Sequence, residues 1–547
     1  MQPIPSRPRQ EVPLDIVGSN TFGQNPKISI SQTYNMFESD GWLISLPGYK
    51  LAKELLGRGN GRGLFKSSQG NFLIAVVDNA VYKITGPADN LQSQQLATIE
   101  TYFGDVSMDE NLGYQIGICD GVNIYIYDWR ANTFATATLP INSQTELPIV
   151  PGYITYHDSY FHVSDTTSGF WYLSQPNNGL VWNWGAGSTY VSGRIASKPD
   201  FCVAVLRAPG KGNLVYVLGR TVTEMWYDNG LQGFPYQRTN SVSIDYGCLS
   251  STTIGSMDNY IAFLGINDNS GPVIMVSEGA GFEHLSTDGI DLKLEELVNP
   301  SKSYAYFYKI AGHTFYQITF FDPADNMTLV YDFNTKKFYY ATDENMNFHI
   351  GEAVAFYENS YFFVSLVDGN LYELSSLYTT YDYTRTYPPD YSQISNQVYE
   401  IPRVRYTQPA RQLDGSRFIC NNLSFTIDQG NDPYWQEYTT GMLATTSGKY
   451  LTTPTNPGYV GHAITTQAVL PPYQPRIDIA VSYDGGRTFS SFNSVFMNEL
   501  GDRKNRVIFW KLGISNDFVF QVRFFTRSTI TVTDGLLEIR GMEGEAA

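Results

Sequence analysis

Cysteine is scarce in this chain: Cys119, Cys202, Cys248 and Cys420 lie far apart and form no CxxC pair. That spacing argues against a disulfide framework or a zinc ribbon, and the expectation is four buried free thiols in a reducing compartment. Charge is also sparse, at 16% of residues, and it leans to one side: 36 Lys plus Arg against 53 Asp plus Glu, a formal net charge of −17. An acidic protein repels phosphate backbones, which excludes strong sequence-independent affinity for nucleic acid. No apolar run approaches the ~18 residues of a membrane-spanning helix. The opening residues lack the apolar core of an export signal, so the chain is expected to be made and folded in a cytoplasm.

Catalytic signatures are missing as well. HExxH, G-x-S-x-G, Walker A and a GxGxxG following a strand do not occur. The glycine-rich stretch from Gly57 to Gly63 lacks the Lys-Ser/Thr and the helix of a phosphate loop, and reads as a flexible joint. The histidines are scattered. His157 and His162 share one strand pair and read as structural.

What the chain does have is aromatic side chains, 15% of residues with 40 Tyr and 32 Phe, within a hydrophobic content of 42%. That composition suits pleated, half-buried surfaces and extensive contacts. It also has a repeat: a strand, a tight turn, a longer apolar strand, a second turn and a third strand. The opening turns fall at Gln69-Gly70, Glu110-Asn111, Asp158-Ser159, Gly210 to Gly212, Asp258-Asn259, Ala311-Gly312 and Glu358-Asn359. Their spacing of about 48 residues is that of four-stranded propeller blades, which bury their apolar faces only by stacking around an axis. Asp120-Gly121 and Asp368-Gly369, each between apolar runs, are strong hairpin signals.

The expectation is an all-β chain: a β-propeller of seven blades, or six if one unit is split, over residues 59–375. Residues 1–58 form an N-terminal arm, with Leu46-Pro47-Gly48 as a turn. A Tyr/Pro-rich crossover follows at 376–415, and isolated strands at 416–547 form a β-sandwich. The arm is expected to join that sandwich, so that both ends of the chain build one platform domain. One helix interrupts the repeats near 288–299, with Ile290, Leu294, Leu297 and Val298 on one face and Pro300 as its stop.

Two local constellations remain. Ser482, Asp484, Gly486, Thr488 and Phe489 fit the Asp-box pattern S-x-D-x-G-x-T-W/F, whose short polar side chains bond the backbone of a tight hairpin. A glycosidase would further need two carboxylates flanking a cleft, and context marks no such pair. The segment 501–511 is the compact basic cluster: Arg503 or Arg506 could meet a neighbour's carboxylates, and Trp510 is a natural interface anchor.

At this cluster a family resemblance emerges. Arg506 to Gly513, the strand Val519 to Phe525 and Ser528 to Thr533 resemble the closing segment of the tail-hub, or tail-nozzle, proteins of short-tailed bacteriophages, also called packaged-DNA-stabilisation proteins. Tyr34-Asn35-Met36, then Gly41-Trp42-Leu43 and Leu46-Pro47-Gly48, resemble that family's opening, and the helix at 291–298 has a counterpart there. Sequence at about 376–415 and 430–475 is extra.

The resemblance implies a virion structural protein and no enzyme: a homohexameric ring that extends the DNA channel below the portal and head-to-tail adaptor. Such a ring retains packaged DNA, anchors tailspikes or fibres and a terminal needle or plug, and lets DNA pass without sequence-specific binding. It would sit in the virion tail, assembled in the host cytoplasm. With it come candidate subunit or adaptor contacts at Asn35, Pro47, Gly48, Arg503, Lys504, Arg506, Trp510 and Lys511. No catalytic residue, cofactor or metal is assigned. The alternatives are a receptor-binding propeller lectin and a propeller glycosidase of the tail.

Overall fold

The computed structural model describes residues 10–21, 31–55, 59–231, 233–279, 281–383, 398–412, 414–430, 475–497 and 505–541. The repeats fold as antiparallel sheets arranged around an axis. Six blades are each one continuous stretch, at 61–98, 107–136, 151–194, 202–244, 247–284 and 303–340. The remaining unit is split. Its strands Gly351–Tyr357, Ser360–Ser365 and Leu371–Ser375 take their outer strand, Gly48–Lys53, from near the start of the chain, with Leu374 opposite Tyr49.

Each opening turn read from the sequence joins the innermost strand of a blade to its second strand. Several of these turns hold non-glycine residues at positive φ, including Asp158, Ser159, Asp258, Ala311, Glu358 and Asn359. That is the twist a two-residue hairpin needs. The second strands are largely buried because neighbouring blades cover both their faces; Leu73–Val77 and His313–Phe320 are buried at every position.

A separate apolar wedge fills each gap between neighbours, one for every adjacent pair. The wedge that closes the ring packs Leu73 and Ile84 of the first blade against Phe362, Val364 and Leu371 of the split one. At this seam Gly61–Lys66 meets Gly351–Tyr357. A Cβ on Gly61 would stand 2.7 Å from the Ser365 carbonyl, and one on Gly63 would stand 2.7 Å from that of Val106. The glycines expected to make a flexible joint therefore include two whose role is close backbone approach inside a strand. Residues 56–58 lie outside the described residues.

Both ends of the chain build the second body. Its first sheet runs Gln10–Leu14, Gly535–Gly541, Phe418–Gln429, Ile530–Val532, Trp42–Ser45 and Met36–Ser39, with Asn505–Ser515 also on Phe418–Gln429. Its second sheet continues the sixth blade: from Lys337–Tyr340 through Gln32–Tyr34 and Arg403–Tyr406 to Val519–Phe525, Arg476–Ser482 and Asn493–Phe496. Leu423, Phe425, Phe509, Phe518, Phe520 and Phe524 fill the space between the two. The sandwich is thus fused to the ring through a shared sheet, and the split blade also extends outward through Thr380–Asp382 and Val398–Glu400.

Two buried arginines stitch this junction. Arg403 donates to the Ser45 hydroxyl and to the carbonyls of Thr526 and Thr379. Arg405 donates to the carbonyls of Asp15, Ile16 and Ser19 and to the Thr33 hydroxyl. The helix, Asp288–Glu295, links the fifth and sixth blades and buries Ile290 and Leu294. Val298 departs from expectation, being 66% exposed. The helix ends before it, and the Val298 N–H donates instead to the Asp325 carboxylate.

Candidate functional site

Of the residues expected to make subunit contacts, the structure separates two groups. Asn35, Pro47 and Gly48 are interior. Asn35 holds φ 56° in the turn between Gln32–Tyr34 and Met36–Ser39. Its side chain donates to Thr342 Oγ1 and the Pro402 carbonyl and accepts from the Thr342 N–H. A Cβ on Gly48 would stand 2.4 Å from the Thr380 carbonyl, so this position needs glycine for the closing strand to pass. Asn35 therefore ties its turn to the segments after the sixth blade and before Arg403–Tyr406, and all three residues are buried. Arg503 and Lys504 fall outside the described residues.

Arg506, Trp510 and Lys511 lie on the exposed side of Asn505–Ser515. Trp510 is 58% exposed, and Ile514 and Leu536 on the same sheet are also exposed. A shallow hollow of about 360 Å³ lies beside the Trp510 ring, lined among others by Ile419, Lys511, Ile514 and Glu538. Glu538 accepts from Asn421 and Asn422, and Arg506 donates to the Ser424 hydroxyl. An exposed tryptophan rimmed by both signs of charge is the usual composition of a protein contact.

The Asp-box residues form a closed hairpin. The Asp484 carboxylate accepts from the Arg487 and Thr488 N–H groups and from the Ser482 and Thr488 hydroxyls, which hold its carboxyl well below the usual carboxylate range. Gly486 takes φ 94° and donates to Ser482 Oγ, while Phe489 meets Tyr406 edge-on. The Asp484 carboxylate and the Ser482 hydroxyl are thus bonded within their own turn.

Two buried carboxylates of the ring, Glu110 and Glu224, are spent likewise. Glu110 accepts from the Ser67 and Ser68 hydroxyls, the Ser68 and Gln69 N–H groups and Trp129 Nε1, pinning the first opening turn to the second blade. Glu224 accepts from the Ala196 and Ser197 N–H groups, Trp226 Nε1 and Arg238. His157 and His162 meet through one hydroxyl, that of Tyr236 on the fourth blade, at 2.8 and 3.1 Å. Burial pushes both imidazoles below their ordinary pKa.

The ring encloses an axial passage. At the end that carries the opening turns it widens to about 800 Å³, lined by both signs of charge: Lys66, Arg207 and Lys211 against Asp109 and Asp258. Toward the other end it narrows to a cavity of about 190 Å³ that Arg62, Asp105 and Glu352 share. Sequence reasoning missed this trio. Arg62 sat within the glycine-rich stretch, and the two acids had no local pattern to mark them. On the face that carries the connections between blades, Tyr102, Phe103, Leu147 and Val367 project into solvent.

A profile of the family described as "Bacteriophage P22 Gp10, beta-propeller" matches residues 26–376. The match takes in the whole ring, its closing strand included. No curated protein matches the sequence at a significant level. Among solved structures, virginiamycin B lyase from Staphylococcus aureus is 10% identical, with a TM-score of 0.39 over 60% of this chain and 97% of that one. The extracellular domain of a putative hybrid two-component system from B. thetaiotaomicron is 11% identical, with a TM-score of 0.41 over 91% of this chain and 62% of that one. Likenesses this distant carry no argument about activity.

Proposed function

The chain belongs to the Bacteriophage P22 Gp10 β-propeller family, and from that premise we propose that it is the tail hub of a short-tailed phage. In this reading six copies form a ring below the portal and head-to-tail adaptor, extend the DNA channel and keep packaged DNA from escaping. The observation that carries it is the family match over a ring fused to a sandwich that presents Trp510 to solvent. The sandwich makes the ring contacts, with Trp510 in a neighbour's pocket and Arg506 and Lys511 opposite its carboxylates. The propeller face with Tyr102, Phe103, Leu147 and Val367 receives a tailspike or fibre, and a needle or plug closes the channel.

Charge fits the task. Six copies at −17 each bring about −100 formal charge to the channel's surroundings, which disfavours DNA adhering to them. Glu110 and Glu224 are tied up as turn and blade staples, whereas Asp105 and Glu352 line the axial cavity, so the structural reading rests on the family match. The experiment is DNA retention. Particles assembled without this protein should lose packaged DNA to nuclease, and purified protein added back should protect it. Full retention in particles lacking the protein would refute the reading.

A further inference from the structure

The narrow end of the axial passage holds a charge imbalance. Arg62 from the first blade, Asp105 from the connection into the second and Glu352 from the split blade line the same cavity. Arg62 is engaged elsewhere. Its five N–H groups donate to the carbonyls of Asp78, Thr101, Phe103 and Gly104 and to the Thr101 hydroxyl. The guanidinium therefore holds the 101–104 connection in place and has no donor left for either acid.

Glu352 is 7% exposed, and its Oε2 has no hydrogen-bond partner among the described residues. A buried carboxylate oxygen without a donor is costly unless a proton or a cation satisfies it. Gly61 leaves that oxygen clear, since a Cβ there would approach it to 3.1 Å. The second acid, Asp105, lines the same cavity.

We propose that Glu352 and Asp105 hold a hydrated divalent cation of the calcium type on the propeller axis. The two carboxylates are hard oxygen donors, and the cavity, at about 190 Å³, has room for an ion that keeps several of its waters. Calcium suits such a site better than magnesium, because it tolerates irregular coordination by six to eight oxygens. The ion would tie the first, second and split blades together at the seam where the ring closes.

The test uses the full-length protein stripped with EDTA. Tyr153 and Tyr304 line the cavity, so bound terbium should give tyrosine-sensitised luminescence that saturates and is competed by calcium. Calcium at about 5 mM should raise the Tm by roughly 2 °C. Glu352→Gln and Asp105→Asn should each weaken terbium binding by at least about tenfold, and their Tm in EDTA shows whether they fold. Equilibrium dialysis with calcium on the wild type gives a readout that needs no variant. Absence of binding to the wild type, with Glu352→Gln raising the Tm in EDTA, would mean that Oε2 carries a proton and would overturn the proposal. Terbium binding unchanged in both folded variants would overturn it too, by placing the ion elsewhere.

Discussion

Replacing Tyr49 asks whether a strand from near the start of the chain closes the ring. Tyr49 is fully buried. Its ring stacks on Tyr381 at 4.3 Å and meets Phe363, Tyr372 and His349 edge-on. Its hydroxyl bonds that of Tyr383, which in turn donates to Glu344. Removing a buried aromatic ring costs about 3–5 kcal/mol, so Tyr49→Ala should lower the local stability of the split blade by about 4 kcal/mol. Tyr49→Phe keeps the ring and loses one hydrogen bond, for about 1 kcal/mol. Hydrogen exchange reads this directly. Amides of Leu371–Ser375, which pair with Gly48–Lys53, should exchange about a thousandfold faster in Tyr49→Ala. Amides of Cys202–Arg207, across the ring, should change far less. Unchanged protection at 371–375, or an equal gain at 202–207, would refute the closure argument.

Trp510→Ala should alter the stability of the isolated protein by less than about 1 kcal/mol, because the ring is more than half exposed. In DNA-retention assays the same variant should fail to complement, as expected of an interface anchor. Arg405→Met leaves the carbonyls of Ile16 and Asp15 without their donor and should cost about 3 kcal/mol, with faster proteolysis in 10–21 as the readout. Acid should weaken the fold through its buried imidazoles. Burial lowers His349 to about 3, whereas the unfolded chain takes up that proton near 6.5, so its contribution is complete above about pH 6.5 and is lost as pH falls toward 3. Denaturation of His349→Gln between pH 6 and 4 should show an acid slope shallower by about 1.4 kcal/mol per pH unit.

The opening turns were legible because each hairpin needs particular residues at neighbouring positions: Asp158-Ser159 and Glu358-Asn359 take positive φ where the sequence marked turns. The all-β propeller followed from their spacing. The closing strand was not legible, because Gly48–Lys53 is short and only its partners at 371–375 give it a place. Asn35 illustrates the same limit. Its residue type suits the left-handed turn it makes, but its burial against Thr342 and Pro402 depends on segments more than 300 positions away. The axial acids lie almost 250 positions apart, and only ring closure brings Asp105 and Glu352 to one cavity. Trp510 was singled out because a tryptophan in a short basic cluster is a local signal, and its ring is exposed.

A cryo-EM map of intact virions bears most directly on the hub assignment. The account predicts six copies around the DNA path below the portal, each with its Trp510 face against a neighbouring copy. A map with the ring-and-sandwich body at the tip of a trimeric fibre, or with no such body in the tail, would contradict it.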